Sequence, residues 1–111
     1  MATIDTRLVR RELRVIQDTS QGISKLLRKT LEQIESNPSA FSALEIIPDR
    51  ITALSNLVIR KAKITLGKHD FRLVFAHRTL DDGSEHVDML LAFRRKKGYE
   101  IDWDWVADAL G

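Results

Sequence analysis

Apolar residues in the first third of the chain recur every three or four positions, which is typical of an amphipathic helix. The positions on this stripe are Val9, Leu13, Ile16, Ser20, Ile23, Leu27, Leu31 and Ile34. A polar, glycine-containing segment interrupts the stripe near residues 18–22, so we expect two helices, with Ser20 capping the second. Asn37 and Pro38 end that helix, because the residue before a proline avoids helical backbone angles. Residues 11–16 fit a short strand as well as a helix.

The hydrophobic period changes from about 3.6 to 2 in the second half of the chain, which predicts three strands. The alternating apolar positions are Ala62, Ile64 and Leu66, then Phe71, Leu73 and Phe75, then Val87, Met89, Leu91 and Phe93. Turn sequences at residues 67–70 and 81–84 join the strands, and the Asp-Gly in the second favours a hairpin. The strand at residues 87–93 is apolar on both faces, which predicts a place inside the sheet, covered on each side.

The rest of the chain divides into a connector and a last helix. Residues 39–57 form the connector, with a turn at Pro48-Asp49. Asp102 is the predicted N-cap of the helix, whose apolar positions are Trp103, Val106, Ala107 and Leu110. Trp105 faces away from them, which makes it a candidate contact for a protein partner. We therefore predict one α+β domain over residues 1–111, with N-terminal helices packed on a small antiparallel β-sheet and a C-terminal helix.

Composition excludes several classes of protein. At 111 residues the chain has the length of one domain, and its charged fraction of 31% is that of a globular protein. It has no cysteine, which excludes disulfides and thiolate chemistry. No stretch approaches the roughly 18 apolar residues of a membrane span, and the N-terminus lacks the pattern of a signal peptide. We expect a cytoplasmic protein that does not enter a membrane.

Three histidines remain as possible metal ligands, namely His69, His77 and His86. None has a histidine partner four residues away, as helical zinc sites do. We therefore expect surface histidines at the hairpin edges, no metal site and no cofactor.

Charge is distributed unevenly along the chain, although the net charge is only +2. Residues 58–99 carry ten basic and five acidic side chains, whereas residues 100–111 carry four acidic and no basic ones. Clustered Lys and Arg bind polyanions by releasing counterions from phosphates. The middle of the chain is thus either a site for a polyanion or a solvated basic face of the sheet.

Three motifs, taken in order, resemble the RelE/ParE toxin superfamily of bacterial toxin–antitoxin systems. They are Asn-Pro at residues 37–38, Phe-Arg-Leu-Val-Phe at residues 71–75, and the apolar strand at residues 87–93 that runs into Arg-Arg-Lys-Lys. The resemblance covers roughly residues 20–110, and no clear strand precedes the helices as it does in that superfamily. It implies a RelE/ParE-like fold and a cognate antitoxin as partner. RelE-like members cleave mRNA on the ribosome, whereas ParE-like members bind DNA gyrase and cut nothing.

The resemblance to RelE-like nucleases also implies site residues. Cleavage of RNA by its 2′-hydroxyl needs a base, an acid for the leaving oxygen, and cations for the phosphorane. By this resemblance Arg72 and Arg95 bind the scissile phosphate, and Lys63 is a second cation or a proton-transfer group. Tyr99 is the base or a stacking platform, unless it caps an edge of the core. Five further residues are expected to bind RNA: Lys61, Lys68, Arg94, Lys96 and Lys97.

Each of these assignments has a structural alternative. Arg72 would also suit an ion pair with a carboxylate such as Asp88, and residues 94–97 would also suit solvated charge at the end of a strand. Lys61 and Lys63 would also protect an edge strand from pairing with other chains. We prefer a toxin that is a metal-independent, ribosome-dependent mRNA endoribonuclease. The alternatives are a ParE-like binder of a target such as gyrase and an inactive relative that only binds RNA.

Overall fold

The computed structural model describes residues 1–44, 57–96 and 101–110, and it has the predicted α+β class. Helices near the N-terminus precede a three-stranded meander and a last helix. The elements are β1 (Thr3–Asp5), α1 (Arg10–Gln17), α2 (Gln21–Ser36), β2 (Leu57–Leu66), β3 (His69–Thr79), β4 (Glu85–Arg94) and α3 (Trp103–Leu110). Short 3₁₀ turns precede α1 at Arg7–Val9 and follow α2 at Pro38–Ala40. The predicted combination of N-terminal helices, sheet and C-terminal helix is confirmed.

The N-terminal region forms two helices, as predicted. α1 and α2 meet at residues 18–20, and the segment that fits both a helix and a strand lies inside α1. Ser20 Oγ accepts a hydrogen bond of 3.1 Å from the backbone N–H of Ile23, which satisfies one of the free donors at the start of α2. The helix ends before Asn37, whose backbone angles are not helical, as expected for the residue before a proline.

The sheet has four strands in the order β1-β4-β3-β2. β2, β3 and β4 form the predicted antiparallel meander. β1 runs parallel to β4, with Ile4 opposite Val87. The sheet is therefore mixed, because the predicted antiparallel meander gains a short parallel strand that was not clear in the sequence. A strand of three residues is too short to give a recognisable alternation in the sequence.

Both predicted hairpins form, and each turn contains a glycine with positive φ. The φ angles are +59° at Gly67 and +84° at Gly83, a region that residues with a β-carbon avoid. The pairing of β3 with β4 shifts between Val74 and Phe75, where Leu90 is the extra residue of a β-bulge. As a result, the consecutive residues Leu90 and Leu91 both lie on the face that the C-terminal helix covers, while Met89 and Ala92 lie on the opposite face.

Apolar side chains are buried on both faces of the sheet. The helix-side face packs against α1 and α2, and its cluster includes Ile16, Ile23, Leu27, Ile34, Ile64, Phe71, Leu73, Phe75, Val87 and Met89. The α3-side face packs against α3, and its buried cluster comprises Ile59, Val74, Ala76, Leu90 and Val106. β4 lies between β1 and β3 and contributes to both clusters. The prediction of an interior strand covered on each side is confirmed.

The C-terminal helix begins where the sequence indicates. The carboxylate of Asp102 accepts a hydrogen bond of 3.1 Å from the backbone N–H of Trp105, as an N-cap does. Trp103 packs against the α3-side cluster, whereas Trp105 keeps 38% of its surface exposed. The prediction that Trp103 packs in the core while Trp105 faces away from it is thus confirmed.

His77 is buried, which contradicts its prediction as a surface residue. Only 5% of it is exposed, because β3 continues beyond Phe75 and places His77 at the next position of the helix-side face. Arg60 Nε donates a hydrogen bond of 3.1 Å to His77 Nδ1, and His77 Nε2 lies 3.0 Å from Glu85 Oε1. Arg60 also donates to the backbone oxygen of Phe41 at 2.9 Å. These bonds satisfy the polar groups that burial removes from water.

Most of the predicted connector, with the turn at Pro48-Asp49, lies outside the described residues. Its first part includes Ala43, which forms an isolated bridge with Arg60. The connector ends earlier than predicted, because Leu57 is already the first residue of β2. The helices in the described part of the chain are all too short or too polar to cross a membrane.

Candidate functional site

Lys63 and Arg72 lie directly opposite each other on β2 and β3. The two-residue turn at residues 67–68 sets this register, in which Leu66 pairs with His69. Both charged side chains belong to the α3-side face, because the residues next to them in sequence face α1 and α2. Like charges at opposite positions of a sheet repel, so this pair favours an anion nearby.

The anion in the structure is the carboxylate of Asp70. Arg72 Nη1 donates a hydrogen bond to Asp70 Oδ1, and Thr65 Oγ1 donates to the same oxygen at 3.3 Å. The other oxygen, Oδ2, lies 4.0 Å from Nη1 of Arg95. We name Lys63, Thr65, Asp70, Arg72 and Arg95 the Asp70 cluster. It combines three cations with one carboxylate, so it retains a positive charge.

The members of the Asp70 cluster differ in exposure. The side chain of Arg72 is only 13% exposed, whereas that of Arg95 is 63% exposed. Lys63 is exposed and takes no part in the ion pairs of the described residues. Arg72 is thus held by its surroundings, while Lys63 and Arg95 are free to adjust to a ligand. The alternative ion pair of Arg72 with Asp88 does not form, since Asp88 pairs with His86 at 3.0 Å.

Arg95 reaches the cluster because the ladder of β3 and β4 continues past the last residue of β4. The backbone N–H of Arg95 donates a hydrogen bond of 2.8 Å to the backbone oxygen of Asp70. This bond fixes the backbone of Arg95 beside the start of β3, so its long side chain extends from a defined point. Three of the four predicted catalytic residues, Lys63, Arg72 and Arg95, are therefore brought to the same end of the sheet.

Arg94 lies on the other face of the sheet, because successive side chains of a strand alternate. Its guanidinium carbon is 4.7 Å from the centre of the Phe71 ring, and its Nη1 lies 3.5 Å from His69 Nδ1. The ring of His69 stacks on Phe71, with 6.3 Å between their centres. The structure thus places Arg94 and Arg95 on opposite faces of the sheet, with different partners.

Three of the other predicted RNA-binding residues, Lys61, Lys68 and Lys96, lie close in sequence to members of the Asp70 cluster. Lys61 is half-buried and shares a face with Lys63 on β2, the edge strand of the described sheet. Lys68 is exposed in the turn between β2 and β3, and Lys96 is exposed just beyond β4. Lys97 and Tyr99 lie outside the described residues.

Sequence reasoning missed Asp70, which it treated only as part of a turn. β3 begins at His69, two residues earlier than predicted, so Asp70 and Arg72 lie two residues apart on one strand and share a face. It also missed Thr65, which lies opposite Asp70 in the register of β2 and β3. Finding this second donor requires the length of the turn, which has two residues in the structure and not the four that the sequence indicated.

A second surface feature lies between α1, β4 and α3. A cavity of about 330 Å³ is lined by Leu8, Val9, Glu12, Leu90, Leu91, Ala92, Phe93 and Trp105. A neighbouring cavity of about 300 Å³ shares Glu12, Ala92 and Phe93 and adds Arg11 and Val15. Leu8, Val15 and Trp105 are exposed apolar residues around these cavities. An apolar surface of this kind suits contact with another protein.

Metal ligands do not cluster in the described ranges, where no group of three or more His, Asp and Glu side chains is arranged to hold an ion. Comparison of the chain with models of protein families, with curated proteins and with solved structures finds no match. The resemblance to the RelE/ParE superfamily therefore rests on the three sequence motifs.

Proposed function

We propose that this protein is a RelE-like toxin of a type II toxin–antitoxin system, an endoribonuclease that cleaves ribosome-bound mRNA without a metal ion. The observation that supports it is the convergence of Lys63, Arg72 and Arg95 at one end of the α3-side face. Guanidinium groups suit the oxygens of a phosphate, because their planar N–H donors match its geometry. The site takes the scissile phosphate of an RNA chain.

In the proposed reaction the 2′-oxygen of the RNA attacks phosphorus and the bond to the 5′-oxygen breaks. Arg72 and Arg95 stabilise the negative charge that grows on the phosphate oxygens. Lys63 neutralises further charge or transfers a proton. Tyr99 removes the proton of the 2′-hydroxyl or stacks on a base, and a protonated group supplies the 5′-oxygen with its proton. The products are a 2′,3′-cyclic phosphate and a free 5′-hydroxyl.

A cognate antitoxin protein keeps this activity in check in the cytoplasm. The exposed apolar residues around Trp105 are the part of the described surface that best suits such a protein partner. Binding there buries apolar area that the free protein leaves in water, which favours a stable complex.

The test is expression of the chain without an antitoxin, followed by mapping of mRNA ends. The wild-type protein is expected to arrest growth and to produce cuts at fixed codon positions. The double variant Arg72→Ala, Arg95→Ala is expected to abolish both effects. A matched control, Arg10→Ala with Arg28→Ala, removes the same charge from exposed helix positions and is expected to remain toxic. Undiminished cutting by the Arg72 and Arg95 variant would overturn the proposal.

A second candidate is a ParE-like toxin that binds a protein such as DNA gyrase and cuts no RNA. The cavity lined by Leu8, Phe93 and Trp105 favours it, because it offers an apolar contact independent of the Asp70 cluster. Double-strand DNA breaks with intact mRNA, lost on Trp105→Ala, would identify this function. A relative that only binds RNA would show binding that weakens with salt, with neither kind of damage.

A further inference from the structure

Asp70 places a negative charge at the point where the proposed function requires a phosphate. Its Oδ1 accepts hydrogen bonds from Arg72 and Thr65, and its Oδ2 faces Arg95. A guanidinium and a hydroxyl are also the usual donors to a phosphate oxygen. The carboxylate therefore occupies donors that a bound phosphate would otherwise use.

Asp70 is the carboxylate that pairs with Arg72 in the described part of the chain. Asp88, the partner that the sequence offered for Arg72, is bonded to His86 instead. With Asp70 in place, Arg72 is already paired, and its low exposure limits how far it can move to a second anion. A phosphate that binds Arg72 must therefore displace the carboxylate or share the guanidinium with it.

We propose that Asp70 is a positioning residue that mimics a phosphate and competes with it. Without ligand, its carboxylate holds Arg72 and neutralises one positive charge of the cluster. When a phosphate of a nucleic acid binds, its oxygens take over the donors of Arg72 and Thr65. The inference rests on the proposed function for the identity of the ligand, while the competition itself concerns any phosphate anion.

If Asp70 competes with a phosphate, removing its charge should raise the affinity for a nucleic acid and should make that affinity depend more strongly on salt. Freeing Arg72 adds one contact to a phosphate, and each such contact with a single strand adds about 0.7 to the slope of log affinity against log salt. An ion pair that is partly exposed contributes up to about 1 kcal/mol, which corresponds to about fivefold in affinity. Asp70→Asn keeps the shape of the side chain and removes only its charge.

The experiment compares Asp70→Asn with the wild-type protein and with Asp82→Asn. The control removes the same charge from the distant turn, where the side-chain oxygen of Asp82 accepts from the backbone N–H of Ser84 at 2.9 Å. The probe is a labelled oligodeoxyuridylate of about ten nucleotides, which has no 2′-hydroxyl and cannot be cleaved. Its anisotropy is measured between about 50 and 200 mM salt. Far-UV circular dichroism checks the fold, and Asp70→Ser replaces the variant if Asn at this position prevents folding.

The expected result is about fivefold tighter binding for Asp70→Asn at low salt, with a slope steeper by about 0.7 and no change of slope for Asp82→Asn. Equal slopes for both variants would overturn the role of Asp70, even if the wild-type protein binds the probe. Weaker binding by Asp70→Asn would also overturn it, because the carboxylate would then only hold Arg72 in place.

Inorganic pyrophosphate separates this inference from the proposed function. If no variant binds the oligonucleotide, free single strands are not ligands of the site, and the proposed cleavage of ribosome-bound mRNA is judged separately by the mapping of mRNA ends. The role of Asp70 then stands if pyrophosphate raises the melting temperature of Asp70→Asn more than that of the wild type. If pyrophosphate raises neither melting temperature, the inference about Asp70 fails as well.

Discussion

His77 and His86 lie in the same hairpin and provide a matched pair for measuring what burial does to a polar contact. Each histidine has its Nε2 atom 3.0 Å from a carboxylate oxygen, of Glu85 and Asp88 respectively. The side chain of His77 is 5% exposed and that of His86 is 30% exposed. His77 also accepts a hydrogen bond from Arg60, a contact that His86 lacks among the described residues. Replacing each histidine by leucine therefore removes a carboxylate contact in both environments, and at His77 it also removes the bond from Arg60.

The cost of His77→Leu follows from its two hydrogen bonds. Each involves a charged partner, Arg60 or Glu85, and such a bond contributes about 1.5–3 kcal/mol to stability. Burial of the leucine returns about 1–2 kcal/mol. We expect a net loss of about 1–5 kcal/mol in the free energy of unfolding. His86→Leu breaks only a partly exposed pair, so its loss is expected to be below about 1 kcal/mol.

Urea denaturation of the two variants measures this difference. Far-UV circular dichroism follows the whole fold, and the fluorescence of Trp103 and Trp105 follows the α3-side face. Coincident transitions justify a two-state treatment. A double-mutant cycle that combines His77→Leu with Arg60→Met isolates their coupling, expected at about 1–2 kcal/mol.

Equal losses at the two histidines would refute the reasoning, because burial would then make no difference to the contact. The same conclusion follows if the His77 variant loses less than about 1 kcal/mol, since two buried bonds to charged groups would cost more. A coupling energy near zero in the cycle would show that the bond from Arg60 contributes nothing to stability.

Three further predictions concern local features of the fold. Ser20→Ala removes the cap of α2 and is expected to cost about 1 kcal/mol in urea denaturation, with recovery in Ser20→Asp. Gly83→Ala is expected to lose about 1–2 kcal/mol, because φ is +84° there; an unchanged melting temperature would contradict this. The hydrogen bond from the Arg7 side chain lowers the pKa of Asp5 from 3.8 to about 2. The stability that this bond adds is therefore complete above about pH 4 and is lost as the pH falls through about 2, so Asp5→Asn should flatten the acid-denaturation curve in that window.

Much of the fold was predictable because its signals are local. The cap at Ser20, the stop at Asn37-Pro38 and the Asp-Gly hairpin each depend on a few neighbouring residues, and all three form. β1 was not predictable, because its three residues are held by pairing with β4 rather than by a pattern of their own. The burial of His77 was not predictable either, because its partners Arg60 and Glu85 lie on other strands and are distant in sequence.

The candidate site was predictable in its residue types and less so in its geometry. Lys63, Arg72 and Arg95 converge as the motifs imply, since the turn before β3 and the end of β4 fix their places. Arg94 lies on the other face of the sheet, because side chains alternate along β4 and the strand includes Arg94. The sequence Arg-Arg-Lys-Lys alone does not show where the strand ends, so it does not show which face Arg94 takes. Asp70 was overlooked because a carboxylate next to a glycine turn is normally explained by the turn alone.

The α3-side face changes from apolar to cationic along its length, and this gradient explains where a site can form. At one end Ile59 and Ala76 are buried in the cluster with α3, while at the other end Lys63 and Arg72 stand at the corresponding positions of the same strands. If an apolar helix covered Lys63 and Arg72, their charges would lose contact with water and gain no polar partner in return. The helix therefore packs on the apolar end of this face. The residues that stabilise the fold and the residues that carry the positive charge thus occupy different ends of the same face. Substitution of Lys63, which is exposed, is therefore expected to change stability by less than about 0.5 kcal/mol, so that a loss of activity there reports on the site rather than on the fold.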